Sequence, residues 1–148
     1  MLTQSRQSQT ALRLLEHMFE IELSFIRSPG QHLEVLSTAF HRDVVVHEPA
    51  SLPYAGDWRG LTGVGALLLR MREAWSSIDV RGMQATLSGD TVFMACTLQL
   101  TARCNGAVVE QPFAEVLRFD GDLLLEGTPF YFDTGELART LANGSPAR

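Results

Sequence analysis

The chain has 148 residues, of which 45% are hydrophobic and 20% charged, proportions typical of a soluble globular protein. Its length predicts a single domain, residues 1–148, with a sizeable core and is too short for two domains to be expected. The net charge is -5 and the twelve basic residues are scattered, which argues against nucleic acid as the main partner.

The first part of the chain predicts two helices. Over residues 11–26 apolar side chains recur at spacings of three and four, as on a helix with one buried face. This helix ends at Ser28-Pro29-Gly30, and a shorter helix follows at about residues 31–40. The apolar positions of the first helix are Leu12, Leu15, Met18, Phe19 and Leu23.

A strand, a loop and a third helix come next. The valine run predicts a strand over residues 43–48. Residues 50–60 contain Pro53, Gly56 and Gly60 and are predicted to form a loop. Thr62 is expected to cap a helix over residues 64–75.

From residue 78 onward the hydrophobic pattern alternates. It predicts four strands, at about residues 78–87, 91–103, 108–119 and 123–132, separated by turns that include Asn-Gly and Asp-Gly. A short helix is expected at residues 134–141, with Asp133 as its N-cap, and a frayed tail at residues 143–148. Helices followed by a block of strands indicate an α+β domain, with helices packed on one face of a mostly antiparallel sheet.

Two carboxylates lie in apolar surroundings. Glu115 shares one face of its predicted strand with Phe113, Leu117 and Phe119, because side chains alternate along a strand. Glu48 ends the valine-rich strand directly before a proline. A carboxylate on an apolar face must find a partner, change its pKa or line a cavity. The alternatives are a solvated strand end for Glu48 and, for Glu115, a bond to an arginine, a glutamine or water.

Three stretches together resemble the nuclear-transport-factor-2-like superfamily, in particular its SnoaL-like branch. They are residues 41–49, residues 57–60 leading into the third helix, and residues 119–123 running on to 131–133. The resemblance covers about residues 10–141 and implies a strongly curved sheet, forming a cone around a pocket that the helices close. The fold serves ketosteroid isomerases, polyketide cyclases, limonene-epoxide-type hydrolases, scytalone dehydratases and non-catalytic binding domains, so it does not by itself give the function.

The resemblance to ketosteroid isomerases implies roles for the two acids. Those enzymes use a general base directly before a proline at the end of the first strand, which corresponds to Glu48. They hold the oxyanion with a protonated acid four residues before a strand's final aromatic, which corresponds to Glu115 before Phe119. Their third group is a tyrosine on the first helix; this chain has none there, and the place falls near Glu22 or Leu23.

Two other branches of the fold imply different groups. Polyketide cyclases of the SnoaL type use an acidic base on a late strand, for which Glu126 and Asp133 are the alternatives. Limonene-epoxide-type hydrolases need an arginine between two aspartates. Arg118 points away from Glu115 by alternation, so that triad is absent.

Further side chains are candidates for contact with a ligand. An apolar pocket needs aromatic and aliphatic walls with a few polar groups. The alternative for each is a structural role, such as anchoring the loop for Trp58 or filling the core for the apolar members. The candidates are His47, Tyr54, Trp58, Arg59, Met71, Trp75, Phe113, Leu117 and Phe130. No pair of histidines has metal-ligand spacing, and neither a metal nor another cofactor is expected.

These observations predict a cofactor-independent isomerase or polyketide-cyclase-like enzyme. Glu48 would abstract a proton next to the carbonyl of a small hydrophobic compound, and Glu115 would stabilise the enolate. The alternative is a ligand-binding or dimerisation domain without catalysis. Both alternatives predict a homodimer through the outer face of the sheet, formed by either set of alternating side chains on the strand at residues 91–103.

The cellular compartment is expected to be the cytoplasm. No apolar run is long enough to span a bilayer, and the first ten residues lack the apolar segment of a secretory signal. Cys96 and Cys104 lie roughly 26 Å apart if they share one extended strand, too far to form a disulfide. Free thiols suit a reducing compartment, and no contact with a membrane is expected.

Overall fold

The computed structural model describes residues 2–28, 30 and 32–142, which form three α-helices, a 3-10 helix and six strands. Helix α1 and the 3-10 helix precede strands β1 and β2, helix α2 follows, and strands β3 to β6 lead to helix α3. The elements are α1 Leu2–Arg27, the 3-10 helix Leu33–Thr38, β1 Phe40–Glu48, β2 Gly56–Arg59, α2 Gly60–Ala74, β3 Trp75–Ser88, β4 Thr91–Ala102, β5 Val108–Asp120, β6 Leu123–Tyr131 and α3 Thr134–Ala142.

The six strands form one curled sheet that does not close, in the order β2-β1-β6-β5-β4-β3. Neighbouring strands are antiparallel except for β1 and β6, which are parallel. Helices α1 and α2 pack against β3 and β1, respectively. The predicted α+β class with a mostly antiparallel, strongly curved sheet is confirmed.

Irregular pairing accompanies the curvature of the sheet. The register of β3 against β4 shifts between Arg81 and Gln84, and Gly82 lies inside this shift with φ +61°. Only glycine adopts that backbone conformation without steric cost, and a bulge with such a glycine bends and twists its strand. Strand β3 thereby bends where it passes helix α1.

The burial pattern of strand β4 shows which face of the sheet is covered. Val92, Met94, Cys96 and Leu98 are buried in the core, whereas Phe93 on the alternate face is 48% exposed. Of the two sets left open by the sequence, the one containing Phe93 therefore faces outward. Cys96 is buried and Cys104 is exposed, and both are free thiols.

Several boundaries differ from the sequence-based predictions. Helix α1 starts at Leu2 instead of residue 11, because its first turns are polar and carry no periodic apolar signal. The predicted second helix is a 3-10 helix, and its first predicted residue, Gln31, lies outside the described residues, as does the predicted tail 143–148. None of the helices described is both long and apolar enough to cross a membrane.

The predicted loop 50–60 contains a strand. Residues Gly56–Arg59 pair with β1 as β2, and only four residues are too few to show alternation in the sequence. Helix α2 then begins at Gly60, so the prediction of Thr62 as its cap was wrong: the N-cap is Arg59, with no side-chain hydrogen bond. Asp133 does cap α3, since its Oδ1 accepts the backbone N–H of Glu136 at 3.0 Å.

Candidate functional site

A cavity of about 60 Å³ lies between the concave face of the sheet and helices α1 and α2. This volume has room for a few water molecules. The wall is apolar apart from three carboxyl groups and two phenol groups. The polar members are Glu22, Glu48, Glu115, Tyr54 and Tyr131.

The three carboxyl groups come from three separate elements. Glu22 lies on α1, in step with the buried residues Met18 and Phe25, four residues before it and three after it. Glu48 is the last residue of β1, and Glu115 lies in the middle of β5 on its buried face. The fold therefore brings together acids that are 26 and 67 positions apart in the sequence (48 − 22 and 115 − 48).

Burial moves the pKa of all three carboxyl groups upward. It raises the pKa of Glu22 from 4.5 to about 7. Burial, reinforced by the charge of Glu22, raises the pKa of Glu48 to about 8. Burial raises the pKa of Glu115 well above its usual value, with Glu22 and Glu48 adding to the effect. Burial therefore favours the neutral form of all three carboxyl groups, and Glu22 and Glu48, with pKa values of about 7 and 8, titrate near neutral pH.

Glu115 is held in place by packing alone. Its side chain is 9% exposed, and no hydrogen bond or ion pair joins it to another residue in the described part of the chain. A Cβ placed on Gly127 of β6 would lie 3.0 Å from Oε2 of Glu115. The absence of a side chain at Gly127 thus leaves the space that the carboxyl group occupies.

A row of hydrogen-bonding groups ends at Glu48. The indole N–H of Trp75 donates to the hydroxyl of Tyr54 at 2.9 Å, and the hydroxyls of Tyr54 and Tyr131 hydrogen bond to each other. The hydroxyl of Tyr131 donates to Oε1 of Glu48 at 3.5 Å. This row orients the carboxyl group of Glu48 from one side.

Two aliphatic side chains separate the cavity from the surface. Leu23 of α1 and Ile78 of β3 line the cavity and also line two clefts on the outside of the protein. Both side chains are only partly buried. These two residues of α1 and β3 therefore lie between the cavity and the outer clefts.

The two predicted catalytic acids line the cavity, and so do three of the residues predicted to bind a ligand. They are Tyr54, Met71 and Phe113. Phe113 stands edge-on to Tyr131, with ring centroids 5.0 Å apart and an interplanar angle of 65°. These rings form the aromatic part of the wall.

Other predicted binding residues lie elsewhere. Trp75 and Leu117 are buried at 1% and 0% exposure but do not line the cavity. Trp58 donates its indole N–H to the backbone oxygen of Tyr54, and so anchors the loop. Phe130 is 55% exposed on the outer face, because its neighbours Pro129 and Tyr131 take the inner face of β6.

His47 and Arg59 belong to an ionic cluster outside the cavity. His47 contacts Oδ1 of Asp57 and Oε2 of Glu126, each at 2.7 Å, which ties β1 to both of its neighbouring strands. Arg59 lies 3.4 Å from Asp57, and Arg118 lies 3.4 Å from Glu126. Glu126 is thus engaged outside the cavity, and neither it nor Asp133 lines the cavity.

The hydrogen bonds in this cluster set its charges. They raise the pKa of His47, and the bond to Asp57 makes the largest contribution to this rise. They lower the pKa of Asp57 and Glu126. The histidine therefore favours its charged form between two carboxylates.

Two polar residues of the cavity, Glu22 and Tyr131, were not predicted as site residues from the sequence. The position of Glu22 could have been predicted from helical spacing. Residues 11, 15, 18 and 25 of α1 are buried on one face of the helix, and residue 22 lies on the same face. Tyr131 was overlooked in favour of Phe130. A register shift in β6 opposite Arg118 and Phe119 interrupts simple alternation, so the sequence alone does not give the inner set there.

Known proteins share this architecture. The family model of the SnoaL-like domain matches residues 29–126. No functionally curated protein matches the chain. Solved structures do match, at identities that show the fold alone. An NTF2-like protein from Burkholderia xenovorans is 17% identical with a TM-score of 0.74, covering 89% of this chain and 95% of that chain.

Two further solved structures are similar. A Jannaschia protein assigned as a SnoaL-like polyketide cyclase is 13% identical with a TM-score of 0.68, covering 95% of this chain and 96% of that chain. A hypothetical protein from Catenulispora acidiphila, with a ketosteroid isomerase-like fold and in complex with trimethylamine, is 19% identical with a TM-score of 0.59, covering 69% of this chain and 76% of that chain.

Proposed function

Because the chain belongs to the SnoaL-like domain family, we propose that it is an isomerase or polyketide-cyclase-like enzyme acting on a small hydrophobic carbonyl compound. One observation carries the proposal: three carboxyl groups with raised pKa values line the same largely apolar and aromatic cavity. Groups that titrate near the working pH are the most effective general acids and bases.

Glu48 is the proposed general base. As a carboxylate it takes a proton from the carbon next to the substrate's carbonyl, and the electron pair of that C–H bond moves towards the carbonyl oxygen to form an enolate. With a pKa of about 8, Glu48 is a stronger base when ionised than an ordinary glutamate. Returning the proton to a different carbon completes an isomerisation, and attack of the enolate carbon on a second carbonyl completes a cyclisation.

Glu115 is the proposed partner of the enolate oxygen. Burial raises its pKa and so favours the protonated form, which can donate a hydrogen bond where negative charge develops. Because no described residue accepts a hydrogen bond from this carboxyl group, it is able to donate one to a substrate. These steps use side chains alone and require no cofactor.

The proposal is tested by exchange of carbon-bound protons with solvent. The protein is incubated in deuterated buffer with a panel of small ketones, and loss of the α-proton signals is followed by NMR. We expect Glu48→Gln to slow exchange by at least about 100-fold. Glu115→Leu, which removes the donor, is expected to cost roughly 100-fold, and Glu115→Gln less because its amide still donates.

Matched controls change exposed acids on the same two strands. Asp43→Asn on β1 and Glu110→Gln on β5 are expected to leave the exchange rate unchanged, since both side chains are exposed. Exchange no faster than in buffer for every ketone, or equal losses in variants and controls, would contradict the enzymatic proposal.

A binding domain without catalysis is the second candidate. It is favoured by the small cavity and by the absence of a tyrosine on α1, which leaves the isomerase set incomplete. In that case ketones shift the NMR signals of residues around the cavity, while their α-protons exchange only at the rate seen in buffer.

We further propose that two copies associate through the outer face of the sheet, and that the protein works in the cytoplasm. Phe93 of β4 and Phe130 of β6 are 48% and 55% exposed there, and exposed aromatic rings are typical of interfaces. The free thiols of Cys96 and Cys104 suit a reducing compartment.

Sedimentation measurements test the dimer. Phe93→Glu or Phe130→Glu is expected to yield monomers, whereas Leu69→Glu on α2, also an exposed apolar position, is expected to remain dimeric. A wild-type monomer at all concentrations would contradict the dimer.

A further inference from the structure

We propose that the ligand of this cavity carries a positive charge on nitrogen, as a quaternary or protonated amine with apolar substituents. This names the substrate class for the cavity described above and rests on the proposed function only in taking that cavity as the substrate site. The amine would be a feature of the substrate in addition to its carbonyl group.

The charged groups around the cavity are all of one sign. Three glutamates line it, and no arginine or histidine does so in the described part of the chain. Two of the arginines that lie near cavity residues in the sequence are engaged elsewhere. Arg72 next to Met71 donates to the backbone oxygen of Ile26 at 2.6 Å, and Arg59 pairs with Asp57. The described residues therefore supply no positive charge at the cavity to offset these acids.

Two of the three acids also lack hydrogen-bond partners among the described residues. Glu115 is 9% exposed, and neither it nor Glu22 forms a hydrogen bond or ion pair with another described residue. A buried carboxyl group left without a partner costs free energy, on the order of 1–3 kcal/mol. A ligand that brings an N–H donor or a positive charge into the cavity removes this penalty, whereas a purely apolar ligand increases it.

The aromatic wall suits the apolar substituents of such a cation. Tyr54, Phe113 and Tyr131 line the same cavity as the three acids, together with Phe40. A cationic nitrogen is attracted to the faces of aromatic rings, and alkylated nitrogens pack well against them. In the described residues no three His, Cys, Asp or Glu side chains are arranged to hold a metal ion.

A cation makes binding depend on pH in a definite direction. The titratable groups around the cavity are Glu22 from α1, Glu48 from β1, Glu115 from β5, and the phenols of Tyr54 and Tyr131, with the Cys96 thiol behind Glu115 on β4. The phenol pKa values lie at about 12 for Tyr54 and well above the usual value for Tyr131, so only the carboxyl groups change charge near neutrality. A bound cation stabilises their ionised form, and each carboxyl group that ionises releases one proton to the buffer.

Choline and 3,3-dimethylbutan-1-ol make a matched pair of probes. They share a shape and a hydroxyl group, but only choline is charged, and its charge does not change with pH. We expect choline to bind at least about tenfold more tightly. Its affinity is expected to rise about tenfold between about pH 6 and pH 8, because one carboxyl group with a pKa of about 7 must ionise. Calorimetry in buffers of different ionisation enthalpy should show proton release for choline and none for the alcohol.

Variants connect the binding to individual acids. Glu22→Gln and Glu115→Gln are each expected to weaken choline binding by about tenfold, and Glu22→Gln is also expected to reduce proton release. Glu20→Gln on α1 and Glu110→Gln on β5, both exposed, are the matched controls and are expected to change neither quantity. Circular dichroism checks that each variant is folded.

Three results would overturn the inference: equal binding of the two probes, choline binding without proton release, or no choline binding by the folded wild-type protein. The exchange assay with ketones separates this outcome from failure of the enzymatic proposal. If the α-protons of ketones exchange while choline does not bind, the proposed positive charge of the ligand is wrong and the enzymatic proposal is retained. If choline binds with proton release while no carbonyl compound exchanges, the cationic ligand stands and the enzymatic proposal fails.

Discussion

Tyr131, the last residue of β6, donates a hydrogen bond of 3.5 Å to Oε1 of Glu48, the last residue of β1. This bond stabilises the carboxylate and opposes the effect of burial on the pKa of Glu48. The two strands are parallel neighbours, so their last residues lie at the same end of the sheet. The contact places a phenol beside the proposed base.

Replacement of Tyr131 by phenylalanine is expected to shift the pH profile of α-proton exchange towards alkaline pH. Loss of the hydrogen bond raises the pKa of Glu48 further above about 8, so less of the base is ionised at neutral pH. The rate should fall at pH 7 and recover as the pH rises. Phe130→Leu, at the adjacent outward position, is the control, and an unshifted profile in Tyr131→Phe would contradict the role of this bond.

Removal of the charge of Glu22 is expected to have the opposite effect. Its negative charge raises the pKa of both Glu48 and Glu115. In Glu22→Gln the pKa of Glu48 should fall, and exchange should be faster than wild type at pH 7 to 8, where Glu22 is increasingly ionised. Rate–pH profiles measure this shift, with Glu20→Gln as the exposed control on the same helix. A profile identical to wild type would mean that the two acids do not interact.

An alanine at position 127 is expected to disturb the site without removing any polar group. Its Cβ would lie 3.0 Å from Oε2 of Glu115 and 3.5 Å from the side chain of Leu124, so the carboxyl group must move. We expect a loss of exchange activity and a destabilisation of roughly 1–3 kcal/mol, as in other overpacked interiors. Thermal unfolding and the exchange assay measure both effects.

The control for this substitution is Thr128→Ala, at the neighbouring outward position of β6. If Gly127→Ala keeps full activity, Glu115 either tolerates displacement or does not contact the substrate. A loss of stability without loss of activity would separate packing from function.

The sequence predicted the architecture better than the site. Hydrophobic alternation and turn residues were sufficient for the four-stranded meander, because these signals are local. The four-residue strand β2 was missed because it is too short to alternate and contains a glycine. The hydrogen-bonded pairing of β1 with β6 joins residues about 80 positions apart, and no local pattern reports such a contact.

The difference between local patterns and long-range contacts also decides which site residues could be predicted. Glu48 and Glu115 could be identified because each is a carboxylate in an apolar stretch. Glu22 was less conspicuous, since a glutamate on a helix is usually exposed, and its burial depends on the sheet that α1 packs against. His47 was predicted at the pocket, but the side chains of β1 alternate, and with Glu48 on the cavity side His47 takes the opposite face.

The ionic cluster outside the cavity predicts a pH dependence of stability. The pKa of His47 is raised in the folded protein, so its contribution is fully present below about pH 6.5 and is lost as the pH rises through the folded value. The pKa values of Asp57 and Glu126 are lowered, so their contribution is present above their ordinary values of 3.8 and 4.5 and is lost as the pH falls through the folded ones. The stabilisation is therefore greatest at weakly acidic pH.

The variant His47→Gln tests this dependence through melting temperature as a function of pH. It should lower the melting temperature most between about pH 5 and pH 6.5, with a smaller difference from wild type at alkaline pH. Because the three side chains are between 30% and 51% exposed, added salt should reduce the difference. His32→Gln, at an exposed histidine, is the control. A difference that is independent of both pH and salt would show that His47 acts by packing, and that the charges on β1, β2 and β6 contribute nothing to holding these strands together.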